Sequence, residues 1–271
     1  MHQIITVVDS FTTIPYSGNP AAVCVLDRPA DDAWLRAVAR EMNLSETAFL
    51  HHESRSGPHP TFHLRWFTPL IEVDLCGHAT LAAAHVLWES GRVPGNDRIR
   101  FLTRSGALSA SRSSRGITLD FPAIPPEPIA PIAGLDDAIG APILGTLCAG
   151  PDILVEIASP QALRELKPHA PAIEALRVRG LIVTAPSDEP GFDFLSRFFA
   201  PSSGVPEDPV TGSAHCALGP FWAQRLNRNT LTGYQASPRG GTVSVEIKDD
   251  RALLTGHAVT ILEGKLCFGP G

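Results

Sequence analysis

Two glycine-led segments carry the side chains best suited to moving a proton. One reads Glu72-Val-Asp-Leu-Cys76-Gly77-His78-Ala79, the other Glu207-Asp208-Pro-Val-Thr211-Gly212-Ser213-Ala214. Each stands where an Ala-rich apolar run begins, the pattern of a helix start. A helix start presents unpaired N–H groups and the positive end of the helix dipole, so it attracts anions. Gly77 and Gly212 have no side chain to keep a ligand from those N–H groups. A substrate carboxylate suits such a place, as does the enolate-like charge left when a proton departs from carbon beside it. A third element lies earlier in the chain, in Leu44-Ser45-Glu46-Thr47-Ala-Phe. At a strand edge Glu46 is an ordinary solvated carboxylate. In a closed apolar cleft, desolvation raises its pKa toward neutrality, and a carboxyl so tuned can both take and return a proton.

Several of these residues also have plain structural readings. Asp208 precedes Pro209, which is an ordinary N-cap with proline just inside the helix. Such a cap still sits at the helix mouth, where a ligand would bind. His78 lies near a helix N-terminus, where its cation is disfavoured, so it suits a neutral donor or relay. Cys76 is either a small packed residue or a one-thiol acid/base. His85 and Cys216, further along the two apolar runs, read as packing.

The elements that must position these residues repeat. Phe62, Arg65, Phe67 and Pro69 recur with the same spacing as Phe194, Arg197, Phe199 and Pro201, and Glu72, Gly77 and Ala79 recur as Glu207, Gly212 and Ala214. Two similar halves follow, with a ligand cleft expected between them. In the first, strands are expected at residues 4–9, 22–26, 46–50, 61–67, 99–103, 106–111 and 117–121. A turn at 17–20 and helices at 33–42 and 75–88 complete it. The second half has strands at 153–158, 181–185, 192–199, 242–248, 252–256, 259–262 and 266–268, with helices at 160–166 and 212–226. The two long helices are apolar all round and therefore central. The expected fold is α+β, with two pseudo-symmetric lobes, each a barrel-like, mostly antiparallel sheet around one apolar helix. The lobes span 1–121 and 132–271, with the final strand free to return to the first lobe. Residues 122–131, with five prolines, read as the connection.

Composition narrows the function classes. A hydrophobic content of 44% with 18% charged residues describes a soluble globular protein. The net charge of −6 and the absence of a basic run argue against nucleic-acid binding. No basic region precedes the first apolar stretch, as a signal peptide would require, and the 75–88 run is too short to span a bilayer. Five widely spaced cysteines without C-x-x-C suit neither a disulfide framework nor a zinc ribbon, so a cytoplasmic chain with reduced thiols is expected. The ten histidines form no H-E-x-x-H or similar metal grouping.

Six motifs together resemble the PhzF-like phenazine-biosynthesis family, within the diaminopimelate epimerase-like fold. They are Asp9-Ser-Phe-Thr, Gly18-Asn19-Pro-Ala-Ala-Val, Leu44-Ser45-Glu46-Thr47-Ala-Phe, Arg65-Trp-Phe-Thr-Pro, Cys76-Gly77-His78-Ala79-Thr80-Leu and Glu207-Asp208-Pro-Val-Thr-Gly212-Ser213-Ala214. They follow the family order over nearly the whole chain. The resemblance implies an active site between two lobes, no cofactor, no metal and frequent homodimers. The best-understood member isomerises a dihydro-hydroxyanthranilic acid, and its catalytic glutamate corresponds to Glu46. The supporting histidine, aspartate and serine correspond to His78, Asp208 and Ser213. Gly77, Gly212, Cys76, Thr211 and Asn19 are expected to line the substrate. In the wider fold, racemases pair one cysteine from each lobe. Here the repeat sets Thr211 against Cys76, which excludes the symmetric two-thiol reaction. The expected function is a cofactor-independent isomerase acting on a small carboxylate-bearing metabolite. An epimerase or dehydratase using Cys76 is one rival, and a non-catalytic binding protein is another.

Overall fold

The computed structural model describes residues 2–53, 57–95 and 97–270. They form two compact units, one running to Asp120 and resuming at Thr255, the other spanning Phe121–Leu254. In chain order the first unit holds β1 (Gln3–Ser10), β2 (Asn19–Leu26), α1 (Asp32–Met42), β3 (Glu46–His52), β4 (Thr61–Phe67), β5 (Glu72–Val73), α2 (Gly77–Glu89), β6 (Ile99–Thr103), β7 (Gly106–Ser113) and β8 (Gly116–Pro122). The second holds β9 (Glu127–Pro128), α3 (Leu135–Ile139), β10 (Gly145–Ala149), β11 (Asp152–Glu156), α4 (Pro160–Glu165), α5 (Ala170–Ala175), β12 (Gly180–Pro186), β13 (Phe194–Ala200), β14 (Val205–Asp208), α6 (Gly212–Leu226), β15 (Thr230–Gln235), β16 (Gly241–Lys248) and β17 (Arg251–Gly256). The last strand, β18 (Ala258–Leu266), pairs antiparallel with β1 and so belongs to the first unit.

The repeat extends to the pairing of the strands. In the first unit β1–β2 is antiparallel, β2–β3 parallel, β3–β4 and β4–β5 antiparallel, β4–β6 parallel and β6–β7 antiparallel. The same six relations run from β10 to β16 in the second unit. The strands β12 and β13 are buried on both faces. Along β12, Leu181, Val183 and Ala185 face a core shared with α3, α4 and α5, while Ile182 faces the core around α6. Period-two alternation between two apolar cores accounts for the continuous Leu-Ile-Val-Thr-Ala run. In the first unit Ala22, Cys24, Leu26 and Phe49 pack beneath α1, which Asp31 caps by accepting from Trp34 N–H at 2.9 Å. The helix α2 is packed by β1, β2, β3 and β18, and eleven of its residues are buried.

Three expectations are corrected. The second lobe is not residues 132–271, because residues from 255 on join the first unit and residues 121–131 join the second. Nor is the proline-rich stretch a free connection. Pro220 lies inside α6 and lacks the N–H that would bond the Cys216 carbonyl. Ile124 N–H fills that gap at 2.9 Å, and Glu127–Pro128 pairs with β10. Residues 17–20 were expected as a turn, but Asn19 and Pro20 already belong to β2, paired with Ser10 and Asp9. The short elements β10, β15, α3 and α5 were not anticipated.

Candidate active site

In the first unit the starts of two parallel strands meet the start of α2. Register sets Glu46, the first residue of β3, beside Ala21 of β2, two residues after Asn19. The chain reaches Asn19 through a tight loop. Phe11 takes a left-handed φ of 63°, its N–H bonds the His257 carbonyl at 2.7 Å, and buried Asp9 accepts from Tyr16 N–H at 2.7 Å. Gly18, also left-handed, passes so close to Ser10 that a Cβ would lie 2.2 Å from its carbonyl oxygen.

These elements bring Glu46, His78, Cys76 and Asn19 together. Glu46 Oε2 lies 3.3 Å from His78 Nε2, an approach without hydrogen-bond alignment, as is common in unliganded catalytic pairs. Asn19 Nδ2 lies 3.1 Å from His78 Nδ1 and Cys76 Sγ 3.5 Å from the same nitrogen. Ser10 Oγ donates to the His78 carbonyl at 2.8 Å, which fixes the backbone of the residue. His78 is fully enclosed, and burial pushes its pKa down to about 3, so the ring is neutral at physiological pH. Glu46 keeps partial access to solvent. The N-cap residue of α2, Cys76, supplies no side-chain cap, so the first-turn N–H groups are left for another partner. Glu46, Cys76 and His78 each offer a potential metal ligand within 4.8 Å of the others.

In the second unit the equivalent helix start is built differently. Asp208 was expected as its N-cap, but the helix begins at Gly212 and the N-cap position is Thr211, without a side-chain cap. Asp208 ends β14 and accepts from Thr211 Oγ1 at 2.5 Å. Buried Gln235 closes the turn: its Nε2 donates to the Asp208 carbonyl at 2.7 Å and to Thr211 Oγ1 at 3.2 Å, and its Oε1 accepts from Thr211 N–H at 2.8 Å. The Thr211 hydroxyl is thus hydrogen-bonded to both Asp208 and Gln235. Ser213 Oγ accepts from Arg179 Nη2 at 3.2 Å, and Arg179 pairs with buried Asp152, Nε–Oδ1 at 2.8 Å. Burial pulls the Arg179 pKa down, but the Asp152 pair and the field of Asp208 outweigh it, and the net direction is upward.

Behind each start sits the same clasp. Arg65 Nε and Nη2 donate to the two Glu72 oxygens at 2.7 and 2.8 Å, with the guanidinium 5.0 Å from the Phe67 ring centroid. Arg197, Glu207 and Phe199 reproduce all three distances. This explains why Arg65, Phe67 and Glu72 recur as Arg197, Phe199 and Glu207. The N-cap carbonyls are also matched: Thr80 Oγ1 donates to Cys76 O at 2.5 Å, and His215 Nδ1 to Thr211 O at 2.8 Å. His85 lies 3.1 Å from Thr260 Oγ1 and 3.2 Å from Glu89, and Cys216 is buried, its thiol pushed up to about 12 by desolvation.

The model of the PhzC-PhzF family, described as "Phenazine biosynthesis-like protein", matches residues 8–264. The chain belongs to this family. An "Uncharacterized isomerase" of Halalkalibacterium halodurans is 50% identical to this PhzC-PhzF chain over 264 residues, 97% of each. A crystal structure of a phenazine biosynthesis protein of the PhzF family from Enterococcus faecalis superposes with a TM-score of 0.92 at 39% identity, covering 99% of this chain and 100% of that one. A hydroxyproline epimerase from Agrobacterium vitis superposes with a TM-score of 0.64 at 13% identity over 98% of this chain and 92% of its own, a likeness of fold alone. The fold is α+β and diaminopimelate epimerase-like. No helix among the described residues is long and apolar enough to cross a membrane.

Gln235, Arg179, Asp152 and Ser10 were missed by sequence reasoning. Each is joined to the site residues only through the fold; Ser10 stands in the Asp9-Ser-Phe-Thr motif, and the other three stand in no motif that would reveal them.

Proposed function

We propose that this chain is a cofactor-independent isomerase that moves a proton between carbons of a small carboxylate-bearing substrate. Glu46 takes the proton as a carboxylate and returns it as a carboxylic acid, and neutral His78 holds the carboxyl group in place through both steps. Asp208 and Ser213 are assigned to contacts that orient the substrate, and the uncapped helix starts to its negative charge. The observation that carries the reading is the enclosed, neutral imidazole of His78 set 3.3 Å from a partly accessible carboxylate. A neutral donor steadies a carboxylate base without neutralising it. The isomerase names of the most similar relatives agree with this.

The test is incubation with a panel of small carboxylic acids in heavy water, read by mass spectrometry. Deuterium uptake that disappears in Glu46→Gln supports the reading. Undiminished uptake in that variant refutes Glu46 as the base, and no uptake with any acid favours a binding protein.

The contact of Cys76 Sγ with His78 Nδ1 at 3.5 Å favours a second reading, in which the thiol is the acid/base of an epimerase or dehydratase. Under it, Cys76→Ala abolishes turnover and Glu46→Gln does not. Under the first reading the order reverses.

A further inference from the structure

We propose that Asn19 is a positioning residue that fixes the tautomer of His78, with the proton on Nε2 facing Glu46. The sequence had suggested substrate contact for Asn19, but the side chain is fully enclosed and its Nδ2 lies 3.1 Å from His78 Nδ1. An amide N–H on Nδ1 makes that nitrogen the acceptor, so in a neutral ring the proton resides on Nε2. The ring is neutral because it is buried. The Cys76 thiol, 3.5 Å from the same nitrogen, is a second and weaker donor and pushes the same way. The opposite tautomer would set an Nε2 lone pair against the Glu46 carboxylate at 3.3 Å, a repulsive pairing.

The fold invests in this placement. Gly18 permits the close pass over Ser10, and the same Ser10 anchors the His78 backbone through its hydroxyl. Asn19 and His78 are thereby referred to one point of β1. For the isomerase proposed above, on which the catalytic part of this inference rests, the consequence is directional. His78 donates to Glu46 in both proton-transfer steps and never competes with it as a base.

The experiment is 15N NMR of histidine-labelled protein, which reads the protonation of each ring nitrogen directly. The wild type should show His78 protonated at Nε2 and bare at Nδ1. Asn19→Asp replaces the donor by an isosteric acceptor and should bring a proton to Nδ1. Asn19→Ala combined with Cys76→Ala, a double variant made in a Glu46→Gln background so that no carboxylate faces Nε2, avoids burying a new carboxylate and should yield a mixture of the two neutral forms. Turnover on the acid found in the heavy-water panel should fall roughly 10–100-fold in kcat for Asn19→Ala, with KM little changed. A wild-type His78 protonated at Nδ1 overturns the inference. So does Asn19→Asp with Nδ1 still bare, or a single Nε2–H form persisting in the double variant. If the NMR results hold while Glu46→Gln retains isotope exchange, the tautomer assignment stands and the proposed reaction falls. If exchange needs Glu46 and the tautomer ignores Asn19, the reverse follows.

Discussion

The two Arg–Glu clasps share sequence and geometry yet should differ in what they contribute to stability. Arg197 is 8% exposed, and each of its three guanidinium nitrogens is hydrogen-bonded. Beyond the two bonds to Glu207, its Nη1 donates to the carbonyls of Leu166 at 2.8 Å and Leu163 at 3.2 Å, holding the chain that leaves α4. Replacing it with Met strands a half-enclosed carboxylate and at least two carbonyls, a loss of about 3–5 kcal/mol. Arg65 is 30% exposed, and its third contact is to Asp32, a surface residue. Glu72 also keeps Arg104, 3.0 Å away, if Arg65 is removed. Glu72 is itself only 3% exposed, so the loss is not that of a surface pair, but with Arg104 still beside it Arg65→Met should cost less, about 1–2 kcal/mol. Amide hydrogen exchange read by mass spectrometry resolves the two units within one chain. In Arg197→Met, peptides from β13 and α6 should lose protection by the larger amount, and in Arg65→Met peptides from β4 and α2 by the smaller. Equal losses, or a greater loss for Arg65, would refute the argument that burial and the lack of a substitute cation set the difference.

Glu46→Gln should lower turnover about 10²–10⁴-fold, the range for a group that transfers a proton, while shifting the unfolding midpoint little, because the amide keeps the volume of the acid. Acid stability is a further test. Burial depresses the pKa of His78 to about 3 and of His215 to about 4, below the ordinary 6.5 of the unfolded chain. The unfolded state then binds protons that the folded state refuses, so stability should fall as pH drops from 6.5 toward 4, by about 1.4 kcal/mol per pH unit for each histidine. His215→Asn should flatten that slope by half of the histidine contribution, and an unchanged slope in urea titrations would contradict the assignment. A Cβ at Gly180 would lie 2.2 Å from the Phe198 ring, so Gly180→Ala should destabilise by roughly 1–3 kcal/mol, and Phe198→Leu should restore part of the loss.

The parts of this fold legible in the sequence are those with long periodic signals. The bounds of α6 were readable to the residue, because its start is Gly-led and its apolar run unbroken. β15 was not. Its Thr-Leu-Thr-Gly-Tyr-Gln run looks like a loop because of Gly233, yet glycine is there to let the Phe194 ring lie against the backbone, where a Cβ would come within 2.4 Å. The proline-rich stretch misled for a similar reason. Proline density suggests a linker, whereas here Ile124 answers a vacancy that another proline creates 96 residues later in α6. At the candidate site, Glu46 and His78 stand in local motifs and were readable. The Asn19–His78 and Arg179–Ser213 pairs were not, since each joins residues far apart in the chain and only the folded register reveals them.

The return of β18 to β1 bears on the order in which the molecule can be made. Until Ala258–Leu266 has been synthesised, Gln3–Ser10 has only β2 as a strand partner, and the His257 carbonyl that braces Phe11 does not exist. The unit formed from Phe121–Leu254 is continuous in sequence, and all of its residues precede Ala258–Leu266. On the ribosome the half encoded second can therefore finish folding before the half encoded first. The loop that carries Asn19, and with it the Glu46–His78 pair, would be among the last parts of the protein to be set.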